Sequence, residues 1–565
     1  MSDTGNHTKA KQRLNIGRRT ALKLGGAAGL VVLAPSTASA NTSTNSEPGT
    51  GSAQSYYDEW PIGDEMLIPG PEFESEWERR QYEYGLQWHA KQLANGVFIV
   101  GRDPNEYIEN DLTPYEFNAS WHLAHSHRWE DVDVDVDYDA ERVTLSADGI
   151  PPRTAVHNEG LGVSILPRGE DDVFFDPVDA STDLPPADEM EWPMGSVDAV
   201  EEDHPDVDYA TLEHALDALF DNESYDEPQL TRGVVVIYDG KIVAERYADG
   251  FDKDTEHIGW SMGKSIASTV VGTAVHDGYI DLDDRAPIDL WDADTPPNPR
   301  QRTPGKGTTP EPEGRPGPDD NEYYVDEYGD PRNEIRVRDL LNMESGLEFN
   351  RSAEDGDNTP PWSPADDHIY VYYGAIDSAE WSRNSDLRHA PGTTYRYRNC
   401  DPILSANDVV RGALDLDQGS KEHLCYPRNR LFDKIGARSL VVDVDPYGNF
   451  LMQGHDWATT RDFARFGLLH LQDGEFAGEQ VLPPWWTDEV PQPSPAADHY
   501  GGLWWLNTDQ ESQEDVPADA YWASGVSDQR IHVIPSEDLV IARNGHTEVA
   551  DWNYVNSTIV DAVND

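Results

Sequence analysis

Aspartate and valine alternate along residues 131–137, a pattern with a period of two. This period is typical of a strand, and it predicts Val side chains facing a core and Asp side chains facing water. Further upstream, apolar residues recur at helical spacing over residues 74–95 and then run together over residues 96–101. We expect a helix in the first of these segments and a short buried strand in the second.

The second half of the chain opens with a predicted helix at residues 209–221. Residues 233–247 have the pattern of a hairpin, closed by Asp239-Gly240, a pair typical of tight hairpin turns. A further helix is predicted at residues 261–276. More strand-like runs follow near the C-terminus, so we expect one sheet built from the two ends of this region and covered by helices.

Changes in composition divide the chain into segments. A Pro-rich acidic stretch at residues 183–200 marks a domain boundary, and a stretch rich in Ser, Thr, Asn and Gly marks a flexible linker. The predicted organisation is an export signal at 1–40, a linker at 41–54, an N-terminal accessory module at 55–199, and a main domain at 200–565 with a surface insertion at 292–333.

The N-terminus has the features of an export signal. Arg18 and Arg19 precede a short apolar run at residues 24–33, and Ala-Ser-Ala at residues 38–40 provides small residues at a cleavage spacing. These features resemble a twin-arginine signal, so we expect export to the cell surface or the medium. No stretch is long and apolar enough to predict a stable membrane span.

The formal net charge is −65, from 107 acidic and 42 basic residues. Such a surface repels itself at low salt and is tolerated when salt screens it, so we favour a halophilic protein. An acidic protein that recruits cations or basic partners is the alternative. Nucleic acid is disfavoured as a partner because its phosphates would meet carboxylates. Cys400 and Cys425 are the only cysteines and allow one disulfide at most.

Ser261 and Lys264 have a Ser-x-x-Lys spacing that occurs once in the chain. On a helix the two side chains lie one turn apart on the same face, so the amine can take the proton of the hydroxyl. Residues 265–275 carry no charge although 26% of the chain is charged, which indicates a buried helix. Burial would lower the pKa of Lys264 toward the neutral amine that a base requires. A Lys that binds nearby carbonyl groups is the alternative.

Residues 260–265 (Trp-Ser-Met-Gly-Lys-Ser) resemble the nucleophile segment of the serine β-lactamase-related and penicillin-binding-protein-like hydrolases. The likeness is greatest to their class C-like esterase and 6-aminohexanoate-dimer-hydrolase-like branch. Similar segments follow in the family's order at residues 274–284, 337–347 and 466–474. The resemblance implies an α/β fold of the α+β sandwich type, with a β-lactamase/transpeptidase-like antiparallel sheet flanked by helices and a helical region beside it.

Tyr397 and Asn399 follow a Pro-Gly turn and look like the Tyr-x-Asn motif of this family. The resemblance implies that Tyr397 carries a proton between the nucleophile and the leaving group. It also implies that Asn399 hydrogen-bonds an amide or ester group of the substrate. Tyr395 is the competing assignment and ranks second, because choosing it would misplace the Asn.

Residues 523–529 resemble the strand that carries the family's third motif, Lys-Thr-Gly. Here Ala523 stands at the Lys position, so no Lys is available to hold a substrate carboxylate. This departure favours neutral esters or amides over β-lactams and peptidoglycan. The resemblance also implies an oxyanion hole from the backbone N–H groups of Ser261 and Val526, next to Gly525.

The predicted function is a secreted serine hydrolase that cleaves a small-molecule ester or amide through an acyl-serine intermediate. No metal or organic cofactor is implied. We interpret the histidine run of His122, His125 and His127 as polar surface, and we expect His455 and Asp456 to start a helix rather than to lie near the cleft. The alternatives are a true β-lactamase or D-Ala-peptidase, a catalytically silent binding or sensing protein of the same fold, and a surface-layer module.

The acidic surface predicts a salt-dependent stability. We expect the midpoint of thermal unfolding to rise as KCl increases from about 0.1 M to about 3 M, because the Debye length falls from about 10 Å to about 3 Å or less over this range. Circular dichroism across a salt series measures the midpoint. A midpoint that stays constant or falls with salt would contradict the halophilic interpretation.

Overall fold

The computed structural model describes residues 12–14, 76–112, 132–221, 229–291, 330–349, 367–547 and 550–564. The paired arginines, the linker, the three neighbouring histidines and most of the predicted insertion lie outside these residues. Within the described ranges, no helix is both long and apolar enough to cross a membrane.

The N-terminal module contributes four strands and one long helix to a five-stranded antiparallel sheet, and the edge strand β1 comes from within the predicted export signal. The strands run in the order β1-β2-β3-β4-β5. The elements are β1 (Gln12–Leu14), α1 (Glu76–Phe98), β2 (Val132–Asp137), β3 (Arg142–Ala147), β4 (Ile150–Asn158) and β5 (Gly162–Ile165). In β2 the three Val side chains are buried while the Asp side chains are more exposed, which confirms the predicted alternation.

The predicted strand at residues 96–101 is wrong, because α1 continues through Phe98. Gly96 explains the difference. Its missing side chain leaves space for the ring of Tyr107, whose atoms lie 2.5 Å from where a Cβ would be. The helix therefore packs closely on the turn that follows it, and Val97 is buried on that face. The apolar run belongs to the end of a helix.

The main sheet has seven antiparallel strands in the order β13-β14-β15-β16-β17-β6-β7. Their bounds are β6 (Thr231–Tyr238), β7 (Lys241–Tyr247), β13 (Tyr500–Gly501), β14 (Trp504–Leu506), β15 (Tyr521–Gly525), β16 (Gln529–Ile534) and β17 (Leu539–Gly545). Since β17 pairs with β6, the two ends of the region form one sheet, as predicted. Asp239 and Gly240 both have positive φ in the hairpin turn, at 47° and 73°.

Small β elements connect this sheet to the helices. They are β8 (Glu256–Ile258), β9 (Val441–Val442), β10 (Asp456–Thr459), β11 (Glu475–Phe476) and β12 (Glu479–Gln480). β10 lies between β8 and β9 and pairs antiparallel with both. This pairing matters because β8 leads directly into the segment that contains Ser261.

Some helices pack on the two faces of the main sheet, and the others form the helical region beside it. In chain order the helices are α2 (Tyr209–Phe220), α3 (Gly263–His276), α4 (Val337–Leu341), α5 (Asp367–Tyr373), α6 (Ser378–Arg383), α7 (Cys400–Leu404), α8 (Val410–Leu414), α9 (Lys421–Leu424), α10 (Thr460–Leu471), α11 (Trp486–Glu489) and α12 (Trp552–Asn564). Leu216 of α2 and Ile559 of α12 share one core with Ile541 of the sheet. On the other face Gly467 of α10 packs on Val540.

The largest core joins the N-terminal module to the helical region. Trp88 of α1 and Ile165 of β5 belong to the same buried cluster as Ile266 of α3. Cys400 and Cys425 are both buried free thiols, so the one disulfide that the composition allows is not formed.

Asp401 at the start of α7 predicts a pH-dependent stability. Burial raises the pKa of its carboxyl from 3.8 to about 7, although Ser345 donates a hydrogen bond to it. Because the folded-state pKa exceeds the unfolded value, stability falls as pH rises through this window. Asp401→Asn should raise the free energy of unfolding by up to about 4 kcal/mol near pH 8 and by much less near pH 4. Denaturant titrations at constant high salt test this, and a pH-independent difference would contradict it.

Candidate active site

A sharp turn between β8 and α3 places Ser261. Trp260 occupies the left-handed region with φ of 50°, which is strained for a bulky residue and persists only where the surroundings hold it. Residues Trp260–Met262 form one 3₁₀ turn, and α3 then begins at Gly263. The regular helix therefore starts two residues later than predicted. Ser261 is half-buried in the middle of this turn, whereas Trp260 is buried.

Lys264 lies in the first turn of α3 and is 1% exposed. Its Nζ is 2.9 Å from Ser261 Oγ and donates to the Gln453 carbonyl at 2.5 Å. The residues from Gly263 to Val275 are all buried, which confirms the interpretation of the uncharged segment as a buried helix. The geometry brings the hydroxyl and the amine into direct hydrogen-bonding contact.

Tyr397 covers the other side of the lysine. Lys264 Nζ lies 4.8 Å from the centroid of its ring. Tyr397 is half-buried and packs against the rings of Tyr500 and Trp505. Tyr395, the second-ranked candidate, packs instead against His499 and Tyr500. The structure thus brings Tyr397 together with the Ser-Lys pair.

Asn399 is held by a hydrogen bond within the protein. It is fully buried, and its side-chain amide donates to the backbone carbonyl of His368. This hydrogen bond ties the segment after Tyr397 to α5. A contact between Asn399 and substrate stays a prediction, and the burial of this side chain argues against it.

The third motif, at the end of β15, meets residues 260–262, here called the nucleophile turn after the predicted role of Ser261. Gly525 is required there, because a Cβ on it would collide with the Gly259 carbonyl oxygen and lie 3.0 Å from Trp260 Cβ. Val526 follows and is partly exposed. The predicted oxyanion hole uses its N–H and that of Ser261, and this assignment stays a prediction.

Ala523 of the third motif is buried, as expected for a position that supplies no cation. A cation does lie on the neighbouring strand, where Arg530 is paired with Ser524 in register and donates to its hydroxyl. Sequence reasoning missed this residue. Its guanidinium is 2.8 Å from the Asp528 carboxylate, so its charge is balanced within the protein.

Residues 453–456, here called the cradle segment, lie directly beneath the nucleophile turn. His455 and Asp456 were expected to start a helix, and this is wrong because α10 begins at Thr460 with Thr459 as its N-cap. Both side chains are instead fully buried. Burial raises the pKa of Asp456 well above its usual value. The adjacent His-Asp pair was the only sequence signal for this segment.

The described side chains include no group of three or more His, Cys, Asp or Glu residues arranged to hold a metal ion. The chemistry assembled at the site is a hydroxyl, a buried amine and a phenol ring, with backbone N–H groups nearby.

Known proteins are similar to the part of the chain that contains this site. The sequence profile of the Beta-lactamase family matches residues 224–562, more than half of the chain. A 6-aminohexanoate-dimer hydrolase from Paenarthrobacter ureafaciens is 27% identical over 281 residues, which are 49% of this chain and 62% of that relative's length.

Two solved structures are also similar. A protein from Bacillus anthracis described as a 6-aminohexanoate-dimer hydrolase has 19% identity and a TM-score of 0.42, covering 59% of this chain and 79% of its own. A penicillin-binding-protein homologue from Caulobacter crescentus has 12% identity and a TM-score of 0.43, covering 62% of this chain and 96% of its own. Because this profile matches more than half of its residues, the chain belongs to the Beta-lactamase family.

Proposed function

We propose that this protein is a serine hydrolase that cleaves a small ester or amide through an acyl-Ser261 intermediate. The observation that carries the proposal is the 2.9 Å contact between Lys264 Nζ and Ser261 Oγ at the start of a buried helix. A neutral amine at this distance takes the hydroxyl proton as Oγ attacks the carbonyl carbon of the substrate. The backbone N–H groups of Ser261 and Val526 stabilise the resulting oxyanion.

Proton transfer then completes the cycle. Tyr397 delivers a proton to the departing alcohol or amine as the ester or amide bond breaks, and it takes a proton from Lys264 in its place. The acyl group stays on Ser261, and Lys264 is again a neutral amine. The position of Tyr397 over Lys264 supports this role. Water then attacks the acyl carbon and gives a proton to Lys264. Lys264 passes a proton to Ser261 Oγ as the acyl–oxygen bond breaks, which releases the acid and restores Ser261.

The charges around the cleft support a neutral substrate. Ala523 supplies no cation, and the nearby Arg530 is compensated by Asp528. The aromatic rings of Tyr397 and Trp505 offer apolar surface for the acyl or leaving group. The relative named as a 6-aminohexanoate-dimer hydrolase supports the amide alternative within this class. True β-lactamase activity and catalytically silent binding remain the rival functions.

We further propose that the protein works outside the cytoplasm at high salt. The paired arginines ahead of a short apolar run support twin-arginine export. The net charge of −65 supports a halophilic surface. Export in the folded state suits a chain that folds only where salt screens its carboxylates.

Ser261→Ala tests the nucleophile. We expect it to abolish turnover of chromogenic esters and amides and labelling by a serine-reactive phosphonate, because no oxygen remains to be acylated. Nitrocefin in the same panel tests the β-lactamase alternative. Ser265→Ala is the matched control, because this neighbouring serine donates to the Leu503 carbonyl away from Ser261 and should keep both signals. Equal activity in the Ser261 variant and the wild type would refute the assignment.

Tyr397→Phe tests the proton carrier. We expect kcat to fall by about 10²-fold or more, because general acid–base groups contribute about 10²–10⁴-fold. Tyr395→Phe removes a hydroxyl two residues away and should change kcat by less than about threefold. Steady-state kinetics on one chromogenic ester measure both variants. A larger loss in the Tyr395 variant would exchange the two assignments.

A further inference from the structure

One buried carboxylate, that of Asp443, connects the N-terminal module to the active site. It is fully buried just after β9. It accepts hydrogen bonds from Asn95 Nδ2 at 3.1 Å and from the Val163 backbone N–H at 2.9 Å, and Lys91 Nζ lies 3.2 Å away. These three donors all belong to the N-terminal module. The fourth is His455 Nδ1 at 2.9 Å, from the cradle segment.

A glycine of the N-terminal module also leaves room for the Asp443 carboxylate. Gly162, with φ of 64°, lies against it, and a Cβ there would collide with Asp443 Oδ1. Burial opposes ionisation of Asp443, but Lys91 and the donated hydrogen bonds hold its pKa below the usual range. The carboxylate therefore stays charged, and its charge is met mainly by Lys91.

Asp443 fixes the state of His455. Its carboxylate accepts a hydrogen bond from Nδ1–H. Nε2 therefore carries no proton and accepts a hydrogen bond from the Tyr373 hydroxyl at 2.9 Å. Burial lowers the pKa of His455 to about 4, so the ring is neutral at neutral pH. The Asp443 backbone N–H also donates to the His455 carbonyl at 2.9 Å. The ring and the backbone of His455 are thus both anchored.

Every residue of the cradle segment then touches the nucleophile turn or a neighbour of it. The His455 ring meets Trp260 edge-on at 5.6 Å. A Cβ on Gly454 would lie 3.1 Å from the Trp260 carbonyl carbon. The Gln453 carbonyl accepts from Lys264 and also from the Tyr372 hydroxyl at 2.9 Å.

Asp456, the last residue of the cradle segment, packs against both ends of the nucleophile turn. Gly259 and Gly263 flank the turn, and each lacks the side chain that would collide with or crowd the Asp456 carboxyl group. The left-handed Trp260 is consequently held from several directions by the cradle segment.

We propose that Lys91 and Asp443 are positioning residues that set the geometry of Ser261 and Lys264, so that the N-terminal module is part of the catalytic centre. The kinetic part of this inference rests on the proposed hydrolase function, while the structural part does not. Lys91 touches no substrate and acts through Asp443 and His455.

Lys91→Met in the full-length protein at high salt tests the proposal. The variant leaves Asp443 without its cation, so we expect faster amide hydrogen exchange in peptides covering residues 257–264 and 453–459. We also expect kcat to fall by about 10²-fold with KM changed less than about threefold, because a displacement near 1 Å costs about this much. Arg153→Met is the matched control, since Arg153 is another buried cation of the module, bound to Glu83 and to the Leu166 carbonyl.

The control variant should be less stable than the wild type but should keep the exchange of both peptides and kcat unchanged. If Lys91→Met does not fold, Asn95→Ala removes one neutral donor to Asp443 and should raise exchange in the same two peptides. Equal exchange in the Lys91, Asn95 and Arg153 variants would overturn the proposal. If the wild type shows neither turnover nor phosphonate labelling, the proposed function fails, and the exchange data still decide the positioning role.

Discussion

A buried carboxylate must be surrounded by donors, because it has no water to bind and an unpaired charge in the interior is very unfavourable. Asp443 meets this requirement with donors from two parts of the chain that are remote in sequence. Any shift of the cradle segment relative to α1 and β5 would break the hydrogen bond from His455 to this carboxylate. The position of the cradle segment, and with it the base of the active site, is therefore strongly determined.

This constraint explains how the strained turn at Trp260 persists. A bulky residue with left-handed backbone angles costs free energy that the surrounding packing must offset. The ring of His455 and the closely packed backbone at Gly454 provide that packing from below, and Gly525 provides it from the side. The result is that Ser261 Oγ and Lys264 Nζ are held 2.9 Å apart, and in the proposed mechanism this preorganisation lowers the entropy cost of the chemical step.

Local patterns in the sequence predicted the features that depend on local physics. The period of two in β2, the Asp-Gly turn at residues 239–240 and the uncharged α3 each reflect neighbours a few residues apart, and each was confirmed. The strand expected at residues 96–101 failed because Tyr107 packs on Gly96, a contact that no periodicity contains.

The same distinction between local and tertiary contacts separates the residues of the candidate site that the sequence revealed from those that it did not. Ser261 and Lys264 are three residues apart, so their spacing reveals them, whereas Lys91 and Asp443 are far apart and carry no motif. Asn399 was placed by resemblance, yet its burial against α5 follows from tertiary packing.

Two lysines, Lys91 and Lys264, differ from the acidic surface in their exposure to salt. The protein has 107 acidic residues, and salt screens those on its surface. Lys91 and Lys264 are each only 1% exposed, so mobile ions do not reach them. Their contacts with Asp443 and Ser261 therefore keep their strength under conditions that weaken exposed ion pairs. If the protein works at high salt as proposed, such buried contacts hold the proposed nucleophile in place, which is a physical reason for placing the Lys91–Asp443 contact inside the core.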